Sequence, residues 1–136
     1  MPVNLEIVSP ERLLLARPVE MVVIPASEGD MGVLEGHAPA IVMLRGGIIA
    51  LYEDDRITDQ MYVAGGFAEV TPERCTVLAD EAMPFEEVTP DQLAERERAA
   101  EREITDAGND AEKAAAEKAL AVAKDLRRAQ AYYASR

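Results

Sequence analysis

Basic residues are scarce and scattered in this sequence: 14 Lys and Arg stand against 26 Asp and Glu, a formal charge of −12. Without a cluster of Lys and Arg there is no electrostatic footprint for a phosphate backbone, which excludes nucleic acid as a partner. Long hydrophobic runs are missing too. The clearest, such as AIVML at 40 to 44, fall far short of the roughly 20 residues that a membrane helix needs. The opening residues, MPVNLEIVSPERLLL, lack a positive leader and are broken by Pro2 and Pro10, unlike a secretory signal. The expectation is a soluble chain that meets a membrane only through a partner.

Cysteine and histidine occur once each, as Cys75 and His37. A lone cysteine excludes an intrachain disulfide and fits a reducing cytoplasm. The alternation in CTVLA reads as core packing for Cys75. One His and one Cys, far apart, supply neither a zinc-type ligand set nor a Cys/His nucleophile pair, so no catalytic residue and no metal ligand is expected.

Proline vanishes after Pro90. Residues 91 to 136 hold no proline, one glycine (Gly108) and fourteen alanines, while the other seven glycines lie earlier. Charge divides at nearly the same place: residues 1 to 86 carry 15 acids and 5 bases, and the remainder 11 and 9. This break predicts two parts in a chain whose 136 residues suit one compact domain with a smaller appendage, namely residues 1–87 and 88–136.

The first part is written in short β-branched or alternating segments: VNLEIV, RLLLA, EMVVI, AIVML, GIIALYE, RITDQMYVA, FAEV and RCTVLAD. Period two puts Ile48, Ala50 and Tyr52 on one face, and likewise Met61 and Val63. With no helical stretch between strands, the pattern predicts an antiparallel β-sandwich or flattened barrel. Gly46-Gly47 and Gly65-Gly66 read as turns between strands, and Asp54-Asp55 as a solvated hairpin tip.

The second part predicts an antiparallel two-helix hairpin. Thr89, Pro90 and Gln92 are spaced as a capping box with proline at the first helical position. Helix one then runs to about Ala107, Gly108-Asn109 makes the turn, and Asn109 with Glu112 repeats the capping signal. Ala119, Val122, Leu126, Ala129 and Tyr133 recur at three- and four-residue intervals, and Leu93, Ala100, Ile104 and Ala107 follow the same spacing as the facing seam. A seam so rich in alanine holds little hydrophobic energy, which makes the hairpin marginal alone and a natural moving part.

The densest stretch is SEGDMGVLEGHAP at 27 to 39, with three glycines, three carboxylates and the only histidine. It lacks the GxxxxGK[ST] pattern, has no lysine nearby, and its carboxylates repel phosphate. The residues therefore predict a loop rather than a chemical site.

Together, SEGDMGVLEGHAP, GGFAEVTPERCTVLADEA at 65 to 82 and the Ala/Glu/Arg-rich end resemble the epsilon subunit of bacterial F-type ATP synthase over essentially the whole chain. The resemblance implies a non-catalytic rotor subunit of the central stalk, without a cofactor, peripheral at the cytoplasmic face of the inner membrane. Its sandwich would pack against the gamma subunit and rest on the c-ring, coupling ring rotation to ATP synthesis or hydrolysis. Carried over by position, the c-ring contact is Glu28, Gly29, Asp30 and Met31, and the gamma-facing side includes Ser9, His37 and Val42.

This chain departs from the family pattern at Met31 (commonly Leu or Ile), Glu35 (commonly Pro) and Ala40-Ile41 (commonly Leu-Leu). Many bacterial relatives bind ATP through an (I/L)DxxRA motif at the start of helix one. The matching residues here put Thr89 at the motif's Asp, Gln92 at its Arg and Leu93 at its Ala, so the charged donor is gone and no ATP binding is expected. The hairpin could still inhibit hydrolysis, with Lys124, Arg127 and Arg128 against acidic residues of the alpha and beta catalytic subunits, or those bases could form a solvated face. The alternatives are a regulatory nucleotide-binding module, weakened by the altered motif, and a stand-alone β-sandwich adaptor.

Overall fold

The computed structural model describes residues 2–134. Eight strands come first: β1 (Val3–Val8), β2 (Leu13–Val19), β3 (Met21–Ala26), β4 (Gly29–Leu34), β5 (Ala40–Glu53), β6 (Arg56–Val70), β7 (Arg74–Ala79) and β8 (Ala82–Pro84). A 3-10 turn, Phe85–Glu87, leads to two helices, α1 (Pro90–Asp106) and α2 (Asp110–Ala134). The hydrogen-bonded order is β2-β1-β7-β6-β5-β3-β4, with β8 also on β6. The architecture is the expected one, an open β-sandwich followed by two helices. Pairing is antiparallel except that β1 runs parallel to β7, register Leu5 to Cys75 and Ile7 to Val77. A parallel pair needs a long crossover, and here β2 to β6 supply it.

Two expectations are corrected by β5 and β6. AIVML and GIIALYE form one 14-residue strand, and RITDQMYVA and FAEV one of 15 residues, so neither glycine pair is a turn. The reason is visible in the parity of inward residues. In β5, Val42 and Leu44 pack into the sandwich interior, and so do Ile49 and Leu51. In β6 the inward set is Met61 and Val63, then Ala68 and Val70. Each strand changes the face it presents, passing from one layer of the sandwich to the other. The glycines lie abreast at that corner, with Leu44 opposite Gly66 and Gly46 opposite Ala64. Gly66 has φ +122°, and a Cβ there would sit 2.2 Å from the Leu78 carbonyl oxygen, so only glycine fits. Asp54 and Asp55 do form the exposed β5/β6 tip, with φ of 51° and 62°, the positive pair that a tight hairpin turn requires.

The interior cluster includes Val3, Leu5, Ile7, Val22, Ile24, Val33, Val63 and Cys75. A second cluster lies on the outer face of one layer, where Ile48, Ala50 and Tyr62 meet Leu93, Leu126 and Tyr133 of the helices. The predicted Ile48, Ala50 and Tyr52 face is thus the one the helices cover, while Met61 and Val63 point inward. Tyr62 stacks on Phe85 with ring centroids 5.3 Å apart.

The α1 cap forms as its sequence predicts. Gln92 N–H donates to Thr89 Oγ1 at 3.1 Å, and Thr89 N–H donates to Gln92 Oε1 at 2.8 Å. Asn109 Oδ1 accepts from the Glu112 N–H at 2.8 Å at the start of α2. The expected helix seam is corrected in part. Ala119 is exposed, while Val122, Leu126, Ala129 and Tyr133 share one cluster with Leu93 of α1 and with the sheet residues Ile48, Ala50 and Tyr62, so the stripe faces the sheet as well as the other helix. Ala100, Ala116 and Ala123 are buried too. Burying Leu93, Leu126 and Tyr133 on the sheet is worth about 1.5–3 kcal/mol for each large side chain, so docking supplies what an alanine seam lacks.

Candidate functional site

Six residues of SEGDMGVLEGHAP form β4, which corrects the reading of that stretch as a loop. Only Ser27 and Glu28 make the turn from β3, with Ala26 opposite Gly29 and Pro25 opposite Asp30. Of the four predicted ring-contact residues, Glu28 and Gly29 are exposed at the tip. Met31 is half-buried and packs against the interior cluster. Asp30 is engaged: its Oδ1 accepts from Arg45 Nη2 at 2.6 Å. The same guanidinium donates through Nη1 to the Ala26 carbonyl oxygen. Arg45 therefore holds both sides of the turn from the neighbouring strand. Sequence reasoning did not single it out, because nothing local in LRGG links it to residues 15 to 19 positions earlier.

The predicted gamma-facing residues do not share one environment. Ser9 sits in the β1/β2 turn, its N–H donating to the Arg12 carbonyl oxygen at 3.0 Å. His37 is half-buried after β4, its Nδ1 2.8 Å from the Ala38 carbonyl oxygen. The segment before it is tied down by the Gly36 N–H on the Pro72 carbonyl oxygen at 2.7 Å. Val42 points inward to the core, because its strand alternates; its neighbours Ile41 and Met43 are the exposed ones.

Those two belong to a feature the sequence did not reveal. Met43 is opposite Phe67, Phe67 opposite Leu78, Leu78 opposite Val8, and Val8 opposite Leu13. Directly opposed residues share a face, so these form a continuous apolar row across five strands. Ile41, Met43, Phe67, Leu78 and Leu13 are 38% to 73% exposed. The row lies on the layer that the helices leave uncovered.

At the helices, Thr89 and Gln92 are occupied by the capping box, and Leu93 is buried in the sheet-facing cluster. Arg127 pairs with Glu97 of α1, and Arg128 with Asp125 one turn before it; Lys124 is exposed. Arg96 reaches Glu81 at the β7/β8 corner through both terminal nitrogens, at 3.1 and 2.7 Å. Hydrogen bonds from Arg102 and Arg98 hold the Glu95 carboxyl below its usual range. Burial pushes the Cys75 thiol up to about 11, and raises Tyr62, whose hydroxyl has no hydrogen-bond partner among the described residues. Among those residues no three His, Cys, Asp or Glu side chains gather as metal ligands, and no helix is long and apolar enough to cross a membrane.

Residues 2–85 match the family described as ATP synthase, Delta/Epsilon chain, beta-sandwich domain. The ATP synthase epsilon chain of Rhodospirillum rubrum is 46% identical over 121 residues, spanning 89% of this chain and 90% of its own. That of Granulibacter bethesdensis is 62% identical over 93 residues, 68% of this chain and 69% of its own. Among solved structures, a chain of the Euglena gracilis mitochondrial ATP synthase, determined with OSCP, F1 and c-ring, superposes with a TM-score of 0.77 at 28% identity, covering 94% of this chain and 81% of that one. A chain from the central stalk and c-ring of the Tetrahymena thermophila enzyme shares the fold, with a TM-score of 0.61 at 12% identity. An open sandwich carrying a docked helical hairpin, matched in sequence along nearly its whole length, places the chain in the family of ATP synthase epsilon chains.

Proposed function

We propose that the chain is a non-catalytic rotor subunit of the central stalk in a proton-translocating F-type ATP synthase, coupling c-ring rotation to ATP synthesis or hydrolysis in the catalytic head. The observation that carries this reading is the apolar row from Met43 to Leu13, on a face that no element among the described residues covers. A contiguous exposed apolar face is costly in water and is what a permanent partner buries. The gamma subunit fills that place, and Ser9 lies at the margin of the row, next to Val8. The β3/β4 turn, with Glu28 and Gly29 at its tip and Asp30 and Met31 behind, meets the c-ring, where its carboxylates set register more than affinity. Membrane attachment, at the cytoplasmic face of the inner membrane, comes through the complex.

Inhibition of hydrolysis by the hairpin would need Arg127 and Arg128 to leave Glu97 and Asp125 before they could pair with alpha or beta subunits. The arginine of each pair is exposed and its carboxylate half-buried, which keeps each pair weak, about 1 kcal/mol, so their exchange is a low barrier. The larger cost is uncovering Leu93, Leu126 and Tyr133.

Reconstitution with gamma and the catalytic head of the same organism tests the rotor reading. A stoichiometric complex is expected. Its absence would overturn the assignment in favour of a stand-alone adaptor.

A further inference from the structure

Arg45 stands where three parts of the molecule meet. Its guanidinium forks onto the Ala26 carbonyl oxygen and the Asp30 carboxylate, one on each side of the β3/β4 turn. The next residue, Gly46, lies directly under α2: a Cβ there would be 3.1 Å from the Val122 carbonyl oxygen and 3.3 Å from Asp125 Cβ. Asp30 and Arg45 also line a cleft of about 360 Å³ whose opposite wall is Asp125, Arg128, Tyr132 and Tyr133 of α2. The helix thus forms one side of the environment in which the turn is clamped.

We propose that Arg45 is a positioning residue that couples the geometry of the β3/β4 turn to the docking of α2. With the helix seated, Gly46 is held beneath Val122 and Asp125, which fixes the backbone next to Arg45, and from there the guanidinium reaches Ala26 and Asp30 and holds the turn. When α2 leaves, that wall of the cleft opens, the packing that fixes the backbone at Gly46 is lost and the neighbouring clamp weakens. Linkage makes the effect reciprocal: whatever draws on Asp30 or reshapes the turn loosens the helix in turn. The coupling is a property of this chain alone. Its meaning for the rotor, communication between the ring-facing tip and the hairpin, rests on the function proposed above.

Hydrogen exchange read by mass spectrometry on the full chain tests it without any partner, so failure to assemble with gamma leaves the result intact. Leu126→Asp removes a buried contact of α2 away from the cleft and is expected to accelerate exchange at both 119–133 and 26–31, threefold or more at each. Arg45→Met is expected to accelerate 26–31 and also 119–133, and Arg45→Lys, which keeps the charge but loses the fork, to recover part of that change. In the double variant Leu126→Asp should add nothing further at 26–31, a non-additivity that two separate structural losses would not produce. Unchanged exchange at 26–31 while α2 loses protection overturns the coupling, as does full additivity. Should Leu126→Asp fail to fold, Leu126→Ala takes its place, and an Arg45→Met effect confined to 26–31 is overturning by itself.

Discussion

Gly66 is the residue on which the sandwich corner depends. Its φ of +122° is open to glycine alone, and a side chain would collide with the Leu78 carbonyl at 2.2 Å and the Ala79 Cα at 2.9 Å, both backbone atoms that cannot swing aside. Gly66→Val is therefore expected to destabilise the chain by at least about 3 kcal/mol, strain and overpacking combined, as a lower denaturant midpoint. An unaltered midpoint would contradict the corner geometry. Residues whose role is local were legible in the sequence. Thr89 with Gln92, Asn109 with Glu112, and Asp54 with Asp55 each act within a few positions, so spacing alone identified them. Of the two glycine pairs only Gly65 and Gly66 have the positive φ, 107° and 122°, that a turn reading expects, and neither pair is a chain reversal. Gly46 and Gly47 are instead places of close approach, to Val122 of α2 and to Pro25, and such neighbours are invisible in a local sequence window. Arg45 escaped for the same reason, since both of its partners lie on other strands.

At the scale of elements, α2 shows why periodicity is an incomplete guide. Its apolar residues recur as a helix stripe should, but a stripe does not say how many neighbours it serves. Val122, Leu126, Ala129 and Tyr133 share one cluster with Ile48, Ala50 and Tyr62 of the sheet and Leu93 of α1, so the same residues bind the hairpin to the sandwich and help close it. The start of α1 is equally committed. Thr89 and Gln92 satisfy each other's backbone groups, and Leu93 is buried, so the three positions that the sequence set against the nucleotide motif are spent on capping and packing. Millimolar ATP is expected to leave the thermal melt unshifted. A reproducible, saturable shift would show that nucleotide binds despite the missing arginine.

For the whole molecule, the two faces of the sandwich have different fates: the helices cover one, and the other carries the exposed apolar row. Residues from Val8 to Leu78 build that second face, and no sequence window contains them together, which is why it emerged only from the strand register. Phe67→Glu places a charge in the middle of the row. The melt of the free chain is expected to change little, while binding to gamma weakens tenfold or more, about 1.4 kcal/mol. Equal affinity for both forms would remove the row from the gamma interface. The parallel seam between β1 and β7 also orders events during synthesis. The first strand leaves the ribosome early and pairs readily with β2, yet its inward side chains Val3, Leu5 and Ile7 wait for a neighbour some seventy residues later. Contacts this distant make folding slow. A nascent chain that ends before Ala79 cannot close its core, so the apolar row is completed only when the helices that cap the opposite side are about to emerge.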